Sequence, residues 1–303
     1  MIDLTTQIGP LRLTNPVLTA SGTFGYGNEF ADFLDINQLG GIITKTVTPE
    51  PRPGNAPPRI CETPAGMLNS IGLPNLGVGQ FIIEKWPFLA TLSTAVIVNV
   101  AGTSAADFVA AVEALEPVNG IAAYELNYSC PNVKEGGLAF SSDARVAAEV
   151  TCQVRAVTRR PLIAKLTPNV TSIGEIGRAC EAEGADALSA INTLVGMAVD
   201  IRSRKPRLST ITGGLSGPAI RPVALAKVFE LIKTVTIPVI AIGGITSPED
   251  ALEFIITGAA AVQIGTAGFM NPRAAIQVLE GIRTFGEREG IGHINQLRGS
   301  LRL

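Results

Sequence analysis

The sequence predicts an α/β chain folded as one (β/α)8 barrel of the TIM type, a single domain over 1–303 with long loops covering its C-terminal face. Three observations lead there. Eight short runs rich in β-branched residues recur, at 17–20, 41–45, 95–100, 121–127, 162–166, 187–192, 239–243 and 261–265. They are nearly continuous in hydrophobicity, as strands buried on both faces of a parallel sheet are. Helical periodicity fills the gaps between them, and 303 residues suit a barrel, which commonly takes about 250 or more as one domain. An open doubly wound sheet would announce a G-x-G-x-x-G fingerprint after its first strand; the sequence has none.

The helices have legible starts. Ser247-Pro248-Glu249-Asp250 places a hydroxyl at the N-cap, proline at the first helical position and acids in the first turn, and Asn271-Pro272 reads the same way. Leu225, Val228, Phe229 and Ile232 predict one apolar stripe; Val146, Val150, Val154 and Val157 predict another. Two segments exceed the bare repeat. The stretch 46–86 is rich in Pro and Gly, and 193–222 carries Arg202, Arg204, Lys205 and Arg207. Both follow strands, so both belong over the C-terminal mouth, where loops of such length are more often functional covers. The basic run itself reads first as a solvated loop, with partner docking as the minority reading.

Composition excludes several classes. Apolar residues make up 46% and charged residues 17%, which fits a large core and not disorder. Lys plus Arg number 24 against 26 Asp plus Glu, so the basic excess of a nucleic-acid binder is missing. Apolar runs fall short of the ~18 residues of a membrane span, and no export signal is visible. A cytoplasmic protein is expected. Cys61, Cys130, Cys152 and Cys180 lack C-x-x-C spacing, and His293 is the only histidine. Zinc sites built on two or three histidines are therefore excluded, and histidine acid–base schemes are left with one candidate.

The residues at or just after the strand ends carry the chemistry. In order they are Ser21-Gly22, Lys45-Thr46, Asn99, Asn127 with Cys130, Lys165, Asn192-Thr193, Gly243-Gly244 and Gly265-Thr266. One such Asn is more often turn chemistry than a ligand. Eight ends with Ser, Lys, Asn, Cys or Gly predict one converging pocket at the face where barrels build their sites. The glycine pairs after strands seven and eight can surround a phosphate with backbone amides, or they can simply make tight turns. Lys45 and Lys165 end apolar strands. Either they reach solvent, or they face an anionic ligand or a ring that gains negative charge during reaction. Cys180 falls on an apolar stripe and reads as core, Cys152 lies off its stripe, and Cys61 is ambiguous. Cys130 opens a loop between Pro131 and Gly136-Gly137. A thiol with an ordinary pKa of about 8.5 can serve as a general base, whereas covalent catalysis would need an activating partner that one histidine scarcely supplies.

The string Asn-Tyr-Ser-Cys-Pro-Asn-Val-Lys-Glu-Gly-Gly at 127–137 resembles the catalytic loop of dihydroorotate dehydrogenases. Asn-Ser-Ile-Gly-Leu-Pro-Asn at 69–75 is similar to the family's substrate loop, and Ile191-Asn192-Thr193, Gly-Gly-Leu-Ser-Gly at 213–217 and Ile242-Gly243-Gly244-Ile245 follow in the family's order. The likeness spans the whole chain. A cysteine at the base position resembles the soluble class 1 enzymes, and Val-Lys-Glu-Gly-Gly resembles the class 1B catalytic subunit. Tyr128 departs from the pattern, which more often has an aliphatic residue there.

This resemblance implies one FMN per subunit, its phosphate held by Gly243, Gly244, Gly265 and Thr266. Ser21, Thr46, Asn99, Asn127, Ile191 and Gly217 would contact the rest of the cofactor, Lys165 its pyrimidine end, and Lys45 both flavin and substrate. Asn69, Asn127, Asn132, Asn192 and Thr193, with the backbone of Ser70, Ile71, Gly72 and Leu73, would hold dihydroorotate. It further implies that Cys130 removes the C5 proton while hydride leaves C6 for FMN, giving orotate for pyrimidine (UMP) biosynthesis. Since the chain has neither a dinucleotide fingerprint nor a cysteine cluster for iron–sulfur, NAD-linked turnover needs a partner subunit with FAD and [2Fe–2S], around a homodimer core in a heterotetramer. Two alternatives stand beside this: a class 1A homodimer reducing fumarate, and a non-catalytic barrel that binds a phosphorylated ligand.

Overall fold

A computed structural model describes residues 2–128 and 143–303. Eight parallel strands close into a barrel in sequence order: β1 (Val17–Thr19), β2 (Gly41–Ile43), β3 (Ala95–Val100), β4 (Ala123–Asn127), β5 (Leu162–Leu166), β6 (Ala187–Ala190), β7 (Val239–Ile242) and β8 (Ala261–Ile264). All eight predicted strands are present, most ending a residue or two earlier than the apolar runs. The fourth begins at Ala123, because 121–122 lead into it as irregular backbone.

Among the described residues seven helices of eight residues or more pack outside: α1 (Gly77–Glu84), α2 (Ala105–Leu115), α3 (Ala144–Val157), α4 (Ile173–Ala182), α5 (Arg221–Ile232), α6 (Pro248–Thr257) and α7 (Ala274–Arg288). The crossover from β1 to β2 holds only short three-ten turns. Gly22, Gly25 and Gly27 all have positive φ there, which no right-handed helix accommodates. At α6, Ser247 caps through a reciprocal box with Asp250, as its sequence predicts. The Asn271-Pro272 expectation is corrected. Asn271 Oδ1 accepts from Arg273 N at 3.0 Å, turning the chain, and α7 starts only at Ala274. The α5 stripe is also rotated by one position: Ala224, Val228 and Leu231 are buried while Leu225, Phe229 and Ile232 are half-buried. Val150 and Val154 on α3 are buried as predicted, with Val146 and Val157 at the margin.

The barrel interior is layered. Ile43, Ile97, Ala123, Ile163, Ala187, Ile240 and Ala261 fill its lower part with Ile8 and Leu13. Those last two come from an antiparallel hairpin, Thr6–Ile8 with Leu11–Leu13, that stops the N-terminal end. Thr6 Oγ1 donates to Ala260 O at 2.8 Å, tying the hairpin to the barrel rim.

At the opposite end the two long segments meet. Leu194–Met197, Thr212–Ser216, Gly66–Asn69 and Ile60–Thr63 form one antiparallel sheet above the mouth, with Leu68 opposite both Cys61 and Leu215. The basic run lies on an exposed hairpin that pairs Val199–Asp200 with Lys205–Pro206. Cys180 is buried and its thiol is pushed up to about 12 by desolvation. Cys152 is exposed, and Cys61 is half-buried with Sγ 4.0 Å from Arg207 Nη1. Among the described residues no helix is long and apolar enough to cross a membrane.

Candidate active site

Side chains two residues apart on a strand share a face. One rung above the apolar layer, Ile97 gives way to Asn99, Ala123 to Glu125, Ile163 to Lys165, Ala187 to Ser189 and Ala261 to Gln263. All five are buried. Five strands thus switch from apolar to polar at one height, forming the floor of a cavity of about 580 Å³ under the cover sheet. That size lies within the 300–1,000 Å³ of ordinary small-molecule sites.

The floor is fully hydrogen-bonded around Glu125. Its Oε1 accepts from Ser189 Oγ at 2.8 Å and Gln263 Nε2 at 2.7 Å, and its Oε2 accepts from Asn99 Nδ2 at 2.6 Å. Lys165 Nζ stands 3.6 Å from Oε2 and donates to Ser21 Oγ at 2.9 Å. An ammonium and a carboxylate this deeply buried tolerate the loss of water only as a pair with their remaining sites bonded. Asn99 Oδ1 in turn accepts from Thr46 Oγ1 at 2.6 Å. Gln263 Oε1 is the exception: it is buried and has no hydrogen-bond partner among the described residues, although Gln263 lines the cavity.

Ser21, Lys45, Thr46, Asn127, Lys165 and Ile191 line the cavity around this floor. On one side Asn192 Nδ2 donates to Asn127 Oδ1 at 3.2 Å, and Asn192 Oδ1 accepts from Thr193 N at 2.8 Å. Asn69, Ile71, Gly72 and Leu73 form part of the wall. Their loop is fixed by Asn75, which donates to Thr48 Oγ1 and Leu73 O and accepts from Gly77 N. Ser70 does not line the cavity; its Oγ accepts from Asn55 Nδ2 and Thr210 Oγ1. Asn99 likewise sits beneath the lining, behind Thr46. Cys130 and Asn132 fall outside the described residues.

Gly217, Gly243, Gly244, Gly265 and Thr266 line the far end, where Thr266 Oγ1 donates to Ser216 Oγ at 2.8 Å. Gly243 and Gly244 have φ of +132° and +71°, and an added Cβ would come within 2.7 Å of Ala224 and Arg221 respectively. Tight packing of the strand end against α5 therefore requires these glycines whatever the cavity holds. Burial holds Lys45 below the usual lysine pKa; Glu29 opposes that shift and Arg59 reinforces it.

The sequence reading did not single out Glu125, Gln263, Asn169, Met67 or Thr246. Asn169 spans the rim, donating to Thr193 O and accepting from Val195 N. A polar residue at the inward parity of an apolar strand was the signal for Glu125 and Gln263.

A sequence model of the dihydroorotate dehydrogenase family matches residues 3–285. The chain belongs to the dihydroorotate dehydrogenase family. Curated relatives carry the name dihydroorotate dehydrogenase B (NAD(+)), catalytic subunit. The one from Desulforamulus reducens is 53% identical over 100% of this chain and 99% of its own length. The one from Geotalea uraniireducens is 52% identical, covering 99% and 98%. That from Bacteroides thetaiotaomicron is 50% identical, covering 99% of each. The crystal structure of DHODH in complex with ferulenol from Eimeria tenella superposes with a TM-score of 0.81 over 98% of this chain and 88% of that one, at 21% identity. At that identity the likeness speaks for the dehydrogenase fold alone, and it matches the closed eight-stranded barrel.

Proposed function

We propose that this chain oxidises dihydroorotate to orotate in pyrimidine biosynthesis, working as the FMN-binding subunit of a cytoplasmic, NAD-linked assembly. One observation carries the reading. A single cavity joins a glycine-lined end, a buried Lys165 and a wall of amides from Asn69, Asn127 and Asn192. Phosphate, flavin ring and a planar cyclic amide would find complementary groups there in that order.

The residues fit a flavin. Gln263 offers a buried acceptor with no partner among the described residues, and Lys165 a buried cation, as a ring of alternating donors and acceptors requires. Gly243, Gly244, Gly265 and Thr266 would hold the phosphate. Ser21, Thr46, Asn127, Ile191 and Gly217 would line the ring and ribityl chain, with Asn99 acting through Thr46. When bound, FMN supplies the two-electron acceptor for the hydride at C6. Lys165 stabilises negative charge beside it. Lys45 pairs with the substrate carboxylate, while Asn69, Asn127, Asn132, Asn192 and Thr193, with the backbone of Ser70 to Leu73, orient the ring amides. Cys130, on sequence resemblance, takes the C5 proton.

The partner would carry FAD and [2Fe–2S] around a homodimer of this chain. The relatives' name, a catalytic subunit with NAD(+) linkage, supports a partner subunit; its FAD and [2Fe–2S] and the homodimer rest on the sequence resemblance. Purified protein should be yellow, and dihydroorotate should bleach it under anaerobic conditions; a colourless chain, or colour indifferent to dihydroorotate, overturns the reading. Robust turnover of the isolated chain with fumarate would overturn the partner subunit.

A further inference from the structure

The floor contains a carboxylate for which the proposed chemistry has no direct use. Glu125 is fully buried, does not line the cavity, and lies beneath Lys165 and Gln263. Its bonds fix the polarity of everything above it. A carboxylate only accepts, so each amide must turn its NH2 toward it. Gln263 has therefore committed its Nε2 to Glu125, and Oε1 is left as the atom available to the cavity. Asn99 has committed Nδ2, which leaves its Oδ1 to take the Thr46 proton. A hydroxyl that donates downward can only accept from above, so Thr46 too presents an acceptor to the cavity it lines. The same carboxylate is the counter-charge of Lys165, at 3.6 Å.

We propose that Glu125 is a positioning residue that writes the donor and acceptor pattern of the floor, two acceptors at Gln263 and Thr46 and one cation at Lys165, and thereby sets the reduction potential of the bound flavin. The proposal rests on the FMN reading above. A ring N–H would find its acceptor at Gln263 or Thr46, and a neighbouring ring carbonyl or nitrogen would find its cation at Lys165. The carboxylate also tempers Lys165, limiting how strongly the site favours the negatively charged reduced ring. Glu125→Gln removes that tempering charge and supplies an NH2 where only acceptors stood, so one neighbouring amide must turn over.

The test uses flavin-loaded protein and equilibrates its flavin against a reference dye. Glu125→Gln should shift the potential positive by at least a tenfold change in the oxidised-to-reduced equilibrium, about 30 mV for a two-electron couple. A merely structural role would lower the melting temperature and leave the potential where it was, and that result overturns the proposal. Should Glu125→Gln fail to fold, Gln263→Met decides, because it keeps both charges and removes one floor acceptor. FMN retention, followed by fluorescence of released flavin, should weaken at least tenfold; wild-type retention overturns the proposal. Wild-type protein that takes up no FMN would overturn the underlying reading as well, whereas an unshifted potential in a loaded variant overturns only the role of Glu125.

Discussion

The two halves of the barrel interior are built from the same strands and do opposite work. Below, Ile97, Ala123, Ile163, Ala187 and Ala261 form a dry layer. One rung higher, the same strands carry Asn99, Glu125, Lys165, Ser189 and Gln263. The lower layer gains from removing apolar area from water, about 25 cal/mol per Å². The upper layer has no such gain and is stable only because nearly every polar group is bonded. A change below should therefore cost stability and spare chemistry, and a change at or above the polar rung should reach the chemistry, with a stability cost wherever it leaves a buried polar group unpaired.

The largest expected effect belongs to Cys130→Ala, the base that sequence resemblance assigns, which should slow dihydroorotate-dependent flavin reduction by about 10²–10⁴, the usual range for a lost general base. Stopped-flow bleaching under anaerobic conditions measures it, and bleaching at the wild-type rate removes Cys130 from the mechanism. Ile97→Ala tests the other half. It should cost about 2–5 kcal/mol of stability in denaturant titrations while leaving the reduction rate per bound flavin unchanged; a matching loss of rate would erase the distinction between the layers.

Lys45→Met should weaken orotate binding at neutral pH by about 10–100-fold, the worth of a hydrogen bond to a charged group. Burial lowers the Lys45 pKa in the free protein, so the lysine surrenders its proton at lower pH than an ordinary one. An anionic ligand favours the protonated form. The gap between wild type and variant should thus be widest at low pH and close as pH rises through that depressed pKa. Fluorescence titrations at several pH values would show it, and a gap independent of pH would take Lys45 off the ligand.

Tyr128→Phe should have the smallest effect. Tyr128 follows the polar strand end but points outward, ring edge against Phe108 at 5.9 Å, with its hydroxyl 2.7 Å from Thr151 Oγ1. Thr151 already donates to Ala147 O, so the tyrosine is the donor. Losing that bond should cost about 0.5–1.5 kcal/mol with no change in flavin reduction. A kinetic defect would mean that outward packing shapes the site.

Much of the barrel was legible because buried parallel strands write themselves as unbroken β-branched runs. The strand ends were legible too, since polar residues there interrupt apolar text, and Lys45, Asn127, Lys165 and Asn192 all line one cavity. Other features depend on distance in sequence. That 46–86 and 193–222 share one sheet follows from a register, Leu68 against Leu215, that neither segment encodes alone. Glu125 and Gln263 were hidden by averaging: one Glu or Gln inside Ala-Tyr-Glu-Leu or Ala-Val-Gln-Ile hardly lowers the hydrophobicity of the run. Only the alternation of faces reveals that both point inward at the same height.

The small hairpin of Thr6–Ile8 and Leu11–Leu13 makes this barrel a blind vessel, corked from beneath. Among the described residues the hairpin and the apolar layer close the lower end, so the polar floor faces the roofed mouth. Reactant and product must take turns at a shared entrance, so each departing molecule clears the way for its successor.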